Sequence, residues 1–386
     1  MLLLNFRRKK RKNRRIAIIG TRGYPSYYGG FETAVRKLAP HLVNNEWQVT
    51  VYGRHGATRA DDPTLDDRVL RVRTKGFELK SLSTLSYGLT STLHAVINRP
   101  DVALVMNCAN GYWLPLLKLR GIPTAVNVDG IEWERQKWGA TAKAIFKFGA
   151  IMTARFADVI IADSHEIAKR WREDFGRQSE FIPYGGEIPP ILQPVEGLTA
   201  GTYILAVARF VPENSIPQFF EAIRILDGQY PVVIVGSSGY GGPLDSEAQE
   251  LADQYDNVRW LGHVANDQIL NALWQNAGAY FHGHSVGGTN PALVQAMACG
   301  SPVVARDTVY NREVLADHGR FVQPDARSIA AAVSAQVQEV MDKQYDSSSL
   351  LQRSREEYSW ELVCDRYNAV MLSLAASHKN MLSDFR

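Results

Sequence analysis

The stretch that decides the fold is GHSVGGTNPALVQAMACGSPVVARD, residues 283–307. Its glycines and Asn290 predict a turn that ends in a helix N-cap, with Pro291 as the first helical residue. The small and apolar residues that follow predict a closely packed helix, and SPVVARD predicts a buried strand. A glycine-rich turn at a helix N-terminus presents free N–H groups, so this stretch is predicted to bind an anion.

The same alternation of short apolar strands and helices runs along the chain on both sides of this stretch. It begins with RRIAIIG at 14–20, pauses in the proline-rich segment EIPPILQPVEGLTAG at 187–201, and restarts with TYILAVARF. Strands of this kind separated by helices predict α/β domains with parallel sheets covered on both faces. The sequence therefore predicts two doubly wound, Rossmann-like domains in series.

The expected boundaries follow from these changes in pattern. The last segment, SREEYSWELVCDRYNAVMLSLAAS, is predicted to be one long amphipathic helix that crosses back onto the first domain. The predicted organisation is a basic arm at 1–15, an N-terminal domain at 16–188, a linker at 189–201, a C-terminal domain at 202–355 and the crossover helix at 356–386.

The bulk composition fits a soluble enzyme. The chain has 386 residues, of which 45% are hydrophobic and 22% charged. Its three cysteines, Cys108, Cys299 and Cys364, form no C-x-x-C pair, which favours a reducing cytoplasm and disfavours a structural zinc site.

The positive charge is concentrated at the N-terminus. Residues 1–15 hold eight of the 43 basic residues and none of the 40 acidic ones. The apolar start MLLLNF is too short to span a bilayer, and in a signal peptide the charges would precede it. Two interpretations stay open, a disordered tail or attachment to an anionic membrane surface. Nucleic acid is not expected as a partner, because no known reader motif follows.

Ligands of parallel sheets bind at the carboxyl ends of strands, so two such domains predict a site in the cleft between them. The first strand leads into GTRGYPSYYGGFET at 20–33. Gly29 and Gly30 would let backbone N–H groups approach a phosphate, and Tyr27 and Tyr28 would offer stacking faces to a sugar. The spacing is not G-x-G-x-x-G, and the second strand does not end in an acidic residue, so a dehydrogenase is disfavoured.

A second motif, NVDGIEWERQKWG at 127–139, follows another strand. Asp129 is therefore predicted at the cleft, where a carboxylate could assist an acceptor hydroxyl or stabilise an oxocarbenium-like centre. Glu132 adds a second carboxylate to this acceptor side. The alternative is that Asp-Gly here forms an ordinary turn.

The second domain supplies the other wall. Arg209, in VARFVPENSI at 207–216, ends the first strand of that domain and is predicted to pair with a diphosphate.

The opening stretch completes the predicted donor site. Gly287, Gly288, Thr289 and Asn290 form its anion-binding turn, and Gln295 lies about one and a half turns into the following helix.

Taken together, the four motifs resemble retaining glycosyltransferases of family 4, which have the GT-B fold. The pair GTRGYPSYYGGFET and HGHSVGGTNPALVQAMACGSPVVA is similar to the β-1,4-rhamnosyltransferase branch of bacterial polysaccharide assembly. That resemblance implies dTDP-L-rhamnose as donor and a lipid-linked saccharide as acceptor, at the cytoplasmic face of the membrane. No D-x-D motif occurs, so neither a metal nor another cofactor is expected.

Three positions depart from the wider family. Gly287 and Gln295 stand where most members carry two glutamates, and Asn214 stands where they carry a lysine. The resemblance implies that Gln295 contacts the nucleotide ribose and that Asn214 lies beside the diphosphate. A neutral amide at 295 would lower donor affinity by roughly tenfold. Three rival functions stay open: transfer from a UDP-hexose, epimerisation of a UDP-sugar, and a non-catalytic scaffold.

Overall fold

The computed structural model describes residues 14–27, 29–56, 58, 62–77, 80–135 and 138–384. Residues 1–13 of the predicted basic arm and Tyr28 lie outside the described residues. Two parallel sheets, each covered by helices on both faces, form two α/β domains. Among the described residues, no helix has both the length and the apolar character needed to cross a bilayer.

The N-terminal domain contains a seven-stranded parallel sheet. Its strands are β1 (Arg14–Ile19), β2 (Trp47–Gly53), β3 (Leu70–Arg73), β4 (Val102–Met106), β5 (Thr124–Asn127), β6 (Val159–Ala162) and β7 (Glu180–Phe181). Its helices are α1 (Gly30–Asn44), α2 (Lys80–Asn98), α3 (Leu114–Leu119), α4 (Ala140–Phe156) and α5 (His165–Phe175), with 3-10 turns at Cys108–Trp113 and Glu132–Glu134. The strand order β3-β2-β1-β4-β5-β6-β7 reverses between β1 and β4, which makes the carboxyl ends of these strands a switch point where ligands bind.

The C-terminal domain repeats this architecture with six strands. They are β8 (Ile204–Val207), β9 (Val232–Val235), β10 (Val258–Trp260), β11 (Ala279–His282), β12 (Val303–Arg306) and β13 (Arg320–Val322), in the order β10-β9-β8-β11-β12-β13. Its helices are α6 (Ile216–Leu226), α7 (Pro243–Gln254), α8 (Asp267–Gln275), α9 (Pro291–Ala298), α10 (Val309–Leu315), α11 (Ala326–Met341) and α12 (Ser348–Glu357), with 3-10 turns at Pro212–Asn214 and Ala316–His318. The predicted pair of Rossmann-like domains is therefore confirmed.

Burial on both faces explains the continuous apolar strands. Every residue of β4 is buried, because α1 packs on one face of the N-terminal sheet and α2 to α5 pack on the other. The C-terminal sheet is enclosed in the same way, by α6, α7 and α11 on one face and α8, α9, α10 and α12 on the other. Strands buried on both sides lose the alternation seen in half-exposed sheets.

The last helix, α13 (Trp360–Asp384), crosses back onto the N-terminal domain, as the sequence predicts. It packs on the same sheet face as α1 and contributes Met371 to that core. Asn127 Nδ2 donates a hydrogen bond of 2.6 Å to the Tyr367 hydroxyl, and Trp47 Nε1 donates one of 2.8 Å to Asn368 Oδ1.

The prediction of one uninterrupted C-terminal helix is wrong. Helix α12 ends at Glu357 and α13 begins at Trp360, with Tyr358 and Ser359 between them. The Tyr358 carbonyl accepts a 2.7 Å hydrogen bond from the Gly186 N–H, and Ser359 pairs with Gly186 as an isolated parallel bridge. A distant segment of the chain thus takes the backbone bonds that a continuous helix would use.

Candidate active site

The two predicted glycine-rich turns lie against each other across the cleft. Gly29 precedes α1 in an extended conformation, and Gly30 is the first residue of that helix. A Cβ atom on Gly30 would lie 3.2 Å from Pro291 Cγ at the start of α9 and 3.1 Å from the Tyr184 ring. Only a residue without a side chain fits comfortably between these groups, so the approach of the two domains depends on this glycine.

The predicted anion-binding turn rests on the N-terminal domain. Gly287 has a φ of +101°, in the region that favours glycine. A Cβ atom on Gly288 would lie only 1.7 Å from Asp163 Oδ1, and the Thr289 hydroxyl donates a hydrogen bond to the Asp163 carbonyl. Asp163 is thus the residue of the N-terminal domain against which this turn packs.

Asn290 holds the helix end of the same turn. Its Oδ1 accepts a 2.9 Å hydrogen bond from the Ala292 N–H, so it is the N-cap that the sequence predicts for α9. The cap fixes the direction in which the first N–H groups of the helix point.

Asp163 is a site residue that the sequence reasoning missed. It directly follows β6, and neither of its buried carboxylate oxygens has a hydrogen-bond partner among the described residues. Burial, followed by the negative charge of Asp129, raises the pKa of Asp163 well above its ordinary value. The sequence does contain a signal for Asp163, because this residue follows the predicted strand in ADVIIADS. The same position after a strand was the reason for predicting Asp129 at the cleft.

Asp129 lies at the carboxyl end of β5, as predicted. Its φ is +54°, and its N–H donates a 3.0 Å hydrogen bond to Asn127 Oδ1. This turn gives the carboxylate its position beside Asp163, since each acid is exposed to the other's charge.

Arg135 is a second residue that the sequence reasoning missed, although it lies within the quoted motif at 127–139. Its Nη2 atom is 3.1 Å from the Cβ position of Gly130 and 3.7 Å from that of Gly287. Burial opposes its charge, but the carboxylates of Glu132 and Asp129 outweigh that effect and raise the pKa of Arg135. A guanidinium of the N-terminal domain therefore reaches the anion-binding turn of the other domain.

Glu132 is buried, and both oxygens of its carboxylate contact neighbouring side chains. Its Oε2 accepts a 2.9 Å hydrogen bond from Trp138 Nε1. Its Oε1 lies 2.7 Å from Arg135 Nε, a contact whose angle is too poor for a hydrogen bond but which brings the charges together. The carboxylate therefore positions Arg135.

Arg209 and Asn214 share one loop after β8. The Arg209 side chain is exposed, whereas Asn214 is buried and donates a 2.8 Å hydrogen bond from Nδ2 to the Arg209 carbonyl. Asn214 thus shapes the loop that carries Arg209. Neighbouring Glu213 is buried, and no described residue donates a hydrogen bond to its carboxylate oxygens.

His284, in the opening stretch, lies beside these arginines. Its Nδ1 is buried and has no hydrogen-bond partner in the part of the chain that the structure describes, and its ring stacks on His282 at 4.3 Å. Burial, then the positive charges of Arg209 and Arg135, lower the pKa of His284 to about 3. The imidazole is therefore neutral at physiological pH and can exchange hydrogen bonds without bringing a charge.

Gln295 faces the connection between the domains. Its Oε1 accepts a 3.1 Å hydrogen bond from the Glu187 N–H, and its Nε2 donates to the Glu187 carbonyl at 2.8 Å and to Asn271 Oδ1 at 3.1 Å.

Tyr27 is also engaged within the protein. Its hydroxyl donates a 3.1 Å hydrogen bond to Asp62 Oδ1, and the Arg36 guanidinium lies 4.0 Å from the centre of its ring. Tyr28, its predicted companion, lies outside the described residues.

The cleft therefore combines positive groups with uncharged hydrogen-bonding groups. Arg135 and Arg209 supply positive charge near the turn, and His284 supplies a neutral polar group. Asp163 adds a buried carboxyl whose pKa is raised. Asp129 supplies the carboxylate. Such a set can hold an anionic leaving group on one side and orient a hydroxyl on the other.

Two family models match successive parts of the chain. The one described as "Glycosyltransferase Family 4" matches residues 28–185, and "Glycosyl transferases group 1" matches residues 194–356. The chain is 32% identical to a phosphatidyl-myo-inositol mannosyltransferase of Mycolicibacterium smegmatis over 44% of its own length. The match covers 45% of that protein, and the chain spans about half the length or less of the first curated relatives it matches.

Solved structures share the fold along nearly the whole chain. Sucrose-phosphate synthase from Thermosynechococcus elongatus has a TM-score of 0.78 at 18% identity, covering 94% of this chain and 100% of that one. Anabaena HepE in complex with UDP-glucose has a TM-score of 0.73 at 15% identity, covering 93% and 99%. These similarities show the GT-B fold.

Proposed function

We propose that this chain, which has the GT-B fold and matches two glycosyltransferase family models, moves a sugar from a nucleotide sugar onto a saccharide acceptor. The observation that carries this proposal is the meeting of two glycine-rich turns, at Gly30 and Pro291, in a cleft that also holds arginines and Asp129. The proposed donor is dTDP-L-rhamnose, and the proposed acceptor is a lipid-linked saccharide of bacterial polysaccharide assembly.

The proposed donor wall consists of the groups that suit a diphosphate. Its members are Gly29, Gly30, Arg209, Asn214, Gly287, Gly288, Thr289 and Asn290. The N–H groups of the two turns and the Arg209 guanidinium would stabilise the leaving group in place of a metal ion. Asn214 would act through the loop that it holds, and Gln295 could reach the ribose only after releasing Glu187.

The proposed reaction retains the configuration of the anomeric carbon. The bond from that carbon to the diphosphate oxygen breaks while the acceptor oxygen attacks from the same face. The proton of the acceptor hydroxyl passes to the departing phosphate oxygen. Asp129 orients this hydroxyl, with Tyr27, Tyr28 and Glu132 on the proposed acceptor side. The closed cleft excludes water that would otherwise hydrolyse the donor.

A UDP-hexose is the second candidate donor. The observation that favours it is the shared fold of HepE, whose structure is described as a complex with UDP-glucose. A third outcome is a scaffold that binds nucleotides without turnover.

Product analysis with a lipid-linked acceptor separates these possibilities. The purified chain is given dTDP-L-rhamnose, UDP-glucose or GDP-mannose under identical conditions. We expect transfer from dTDP-L-rhamnose to exceed transfer from the others. Preferred transfer from UDP-glucose would replace the donor assignment, and binding without transfer from any donor would favour the scaffold.

The basic arm is proposed to hold the enzyme at the inner face of the cytoplasmic membrane. Co-sedimentation with anionic vesicles compares the full chain with a form lacking residues 1–13, the part of the predicted 1–15 arm that precedes β1 at Arg14. Weaker binding of the shortened form is expected, and equal binding would contradict the arm's role.

A further inference from the structure

Gln295 bonds to both backbone groups of one residue in the connection between the domains. The amide accepts from the Glu187 N–H at 3.1 Å and donates to the Glu187 carbonyl at 2.8 Å. Its second N–H reaches Asn271 Oδ1 at 3.1 Å. A side-chain amide has one acceptor and two donor hydrogens, so this arrangement satisfies the donors of Gln295 completely.

The chain beyond Glu187 is fastened to the same domain by another glutamine. Gln275 Oε1 accepts a 2.7 Å hydrogen bond from the Leu192 N–H, and its Nε2 donates to the Pro190 carbonyl at 3.3 Å. Asn276 Nδ2 donates to the Leu192 carbonyl at 3.2 Å. Residues 187–192 are therefore attached to α8 and α9 of the C-terminal domain.

The other attachment of Glu187 leads to the N-terminal domain. Its carboxylate pairs with Lys37 Nζ on α1. One residue before it, Gly186 donates to the Tyr358 carbonyl at 2.7 Å, where the chain crosses between the domains for the second time. The two crossings thus lie side by side at residues 184–187, which we call the hinge segment.

We infer that Gln295 is a positioning residue that sets the C-terminal limit of the hinge segment and thereby the closure of the cleft. With Glu187 bonded to α9, rotation of the domains is confined to the residues before it. Without that bond, the free connection would extend to Pro190, where Gln275 holds the chain. This assignment rests on the proposed function only where turnover is the readout.

The amide suits this position better than the glutamate of the wider family. A carboxylate could still accept from the Glu187 N–H, but it has no hydrogen to donate to the Glu187 carbonyl or to Asn271. It would also bring negative charge towards the Glu187 carboxylate. Restoring the family's glutamate is therefore expected to weaken the hinge contact.

The test compares Q295A and Q295E with Q275A as the matched control. Hydrogen exchange followed by mass spectrometry reports on residues 185–188 and on residues 191–192. Q295A is expected to speed exchange at 185–188 by about threefold to tenfold, the range for one lost hydrogen bond. Q295E should give a smaller increase there, because it keeps one acceptor. Q275A should speed exchange at 191–192 and leave 185–188 unchanged.

Calorimetry with dTDP and with UDP, together with steady-state turnover, distinguishes a hinge role from a ribose contact. The hinge role predicts unchanged nucleotide affinity and a lower kcat in Q295A. An unchanged exchange rate at 185–188 would overturn the inference, as would a tenfold loss of nucleotide affinity with kcat preserved. If the natural chain transfers no sugar, the proposed function fails, while the exchange measurement still decides where the hinge lies.

Discussion

Gly288 and Asp163 show how narrowly single residues define the cleft. Asp163 Oδ1 lies 1.7 Å from the position that a Cβ atom on Gly288 would take. Position 288 therefore has no room for a side chain. This restriction does not follow from local sequence, because the two residues come from different domains and meet across the cleft.

Replacing Gly288 with alanine should separate the domains at this point. The added methyl group overlaps Asp163 Oδ1, so we expect lower turnover and a loss of about 1–3 kcal/mol in the free energy of unfolding. Urea denaturation and initial rates measure the two effects. G139A is the matched control, since a Cβ atom on Gly139 meets no atom of the described residues within 4 Å. Equal behaviour of the two variants would contradict the tight contact.

The raised pKa of Asp163 predicts a pH dependence of stability. The carboxyl binds its proton more tightly in the folded chain, so its contribution is complete below the ordinary aspartate pKa of about 3.9 and declines as pH rises through the folded pKa. Asp129, Glu313 and Arg135 are the charged groups that act on it. D163N, which cannot ionise, should therefore gain stability relative to the natural chain as pH rises. Thermal unfolding between pH 4 and 8 tests this, and a constant difference between the two proteins would refute it.

The site residues predicted from the sequence and those that were missed differ in how far along the chain their partners lie. Asn290 was predicted as an N-cap because its partner lies two residues away. The bonding of Gln295 to Glu187 spans 108 residues, and that of Thr289 to Asp163 spans 126. Such pairs depend on the relative placement of two domains, which periodicity and spacing do not report.

Among the secondary-structure elements, α9 illustrates how local sequence signals stabilise a short helix. Pro291 starts it, Asn290 caps it, and small residues allow it to lie close to its neighbours. Residues 186 and 294 show this closeness, since a Cβ atom on Gly186 would lie 2.8 Å from the Val294 carbonyl. The strands and most helices were predictable for the same reason, because their signals are local.

Loss of the α9 cap should affect donor binding as well as stability. N290A is expected to cost about 1 kcal/mol of unfolding free energy and to weaken dTDP binding, because the N–H groups of the turn lose their orientation. N266A removes a comparable cap from α8, where Asn266 Oδ1 accepts from Gln268 N–H at 2.9 Å. That control should lose stability without losing nucleotide affinity. Calorimetry showing the same affinity for both variants would argue against a phosphate site at α9.

The interruption between α12 and α13 marks the limit of prediction at this scale. The amphipathic pattern continues through Tyr358 and Ser359, so sequence alone favours one helix. Gly186 breaks it by pairing with these residues from the other crossing. The hydrophobic periodicity indicates which face of a helix is buried. It carries no information about a distant backbone group that competes for the hydrogen bonds of the helix.

At the scale of the whole molecule, closure is held by polar contacts placed around the cleft. Glu313 Oε1, in α10, accepts a 2.8 Å hydrogen bond from the His165 N–H at the start of α5. On another side, Arg36 Nη2 lies 3.1 Å from Asp267 Oδ2. These polar contacts join the two domains, which suits a molecule that opens to admit its substrates.

Removing Glu313 should shift the molecule towards an open arrangement. E313A loses the bond to α5, so the radius of gyration measured by small-angle X-ray scattering is expected to increase. Adding dTDP-L-rhamnose should reverse part of this increase by favouring the closed state. E221A is the control, because Glu221 pairs with Arg224 inside α6 and touches no interdomain contact. An unchanged radius of gyration in E313A would show that Glu313 does not hold the two domains together.

The proposed transfer of a sugar from a nucleotide sugar keeps the configuration of the anomeric carbon. The most direct measurement is the NMR determination of the anomeric configuration in the product formed from dTDP-L-rhamnose and a lipid-linked acceptor. We expect a new glycosidic bond with the same configuration as the donor. A product of opposite configuration, or no product from any nucleotide sugar, would contradict it.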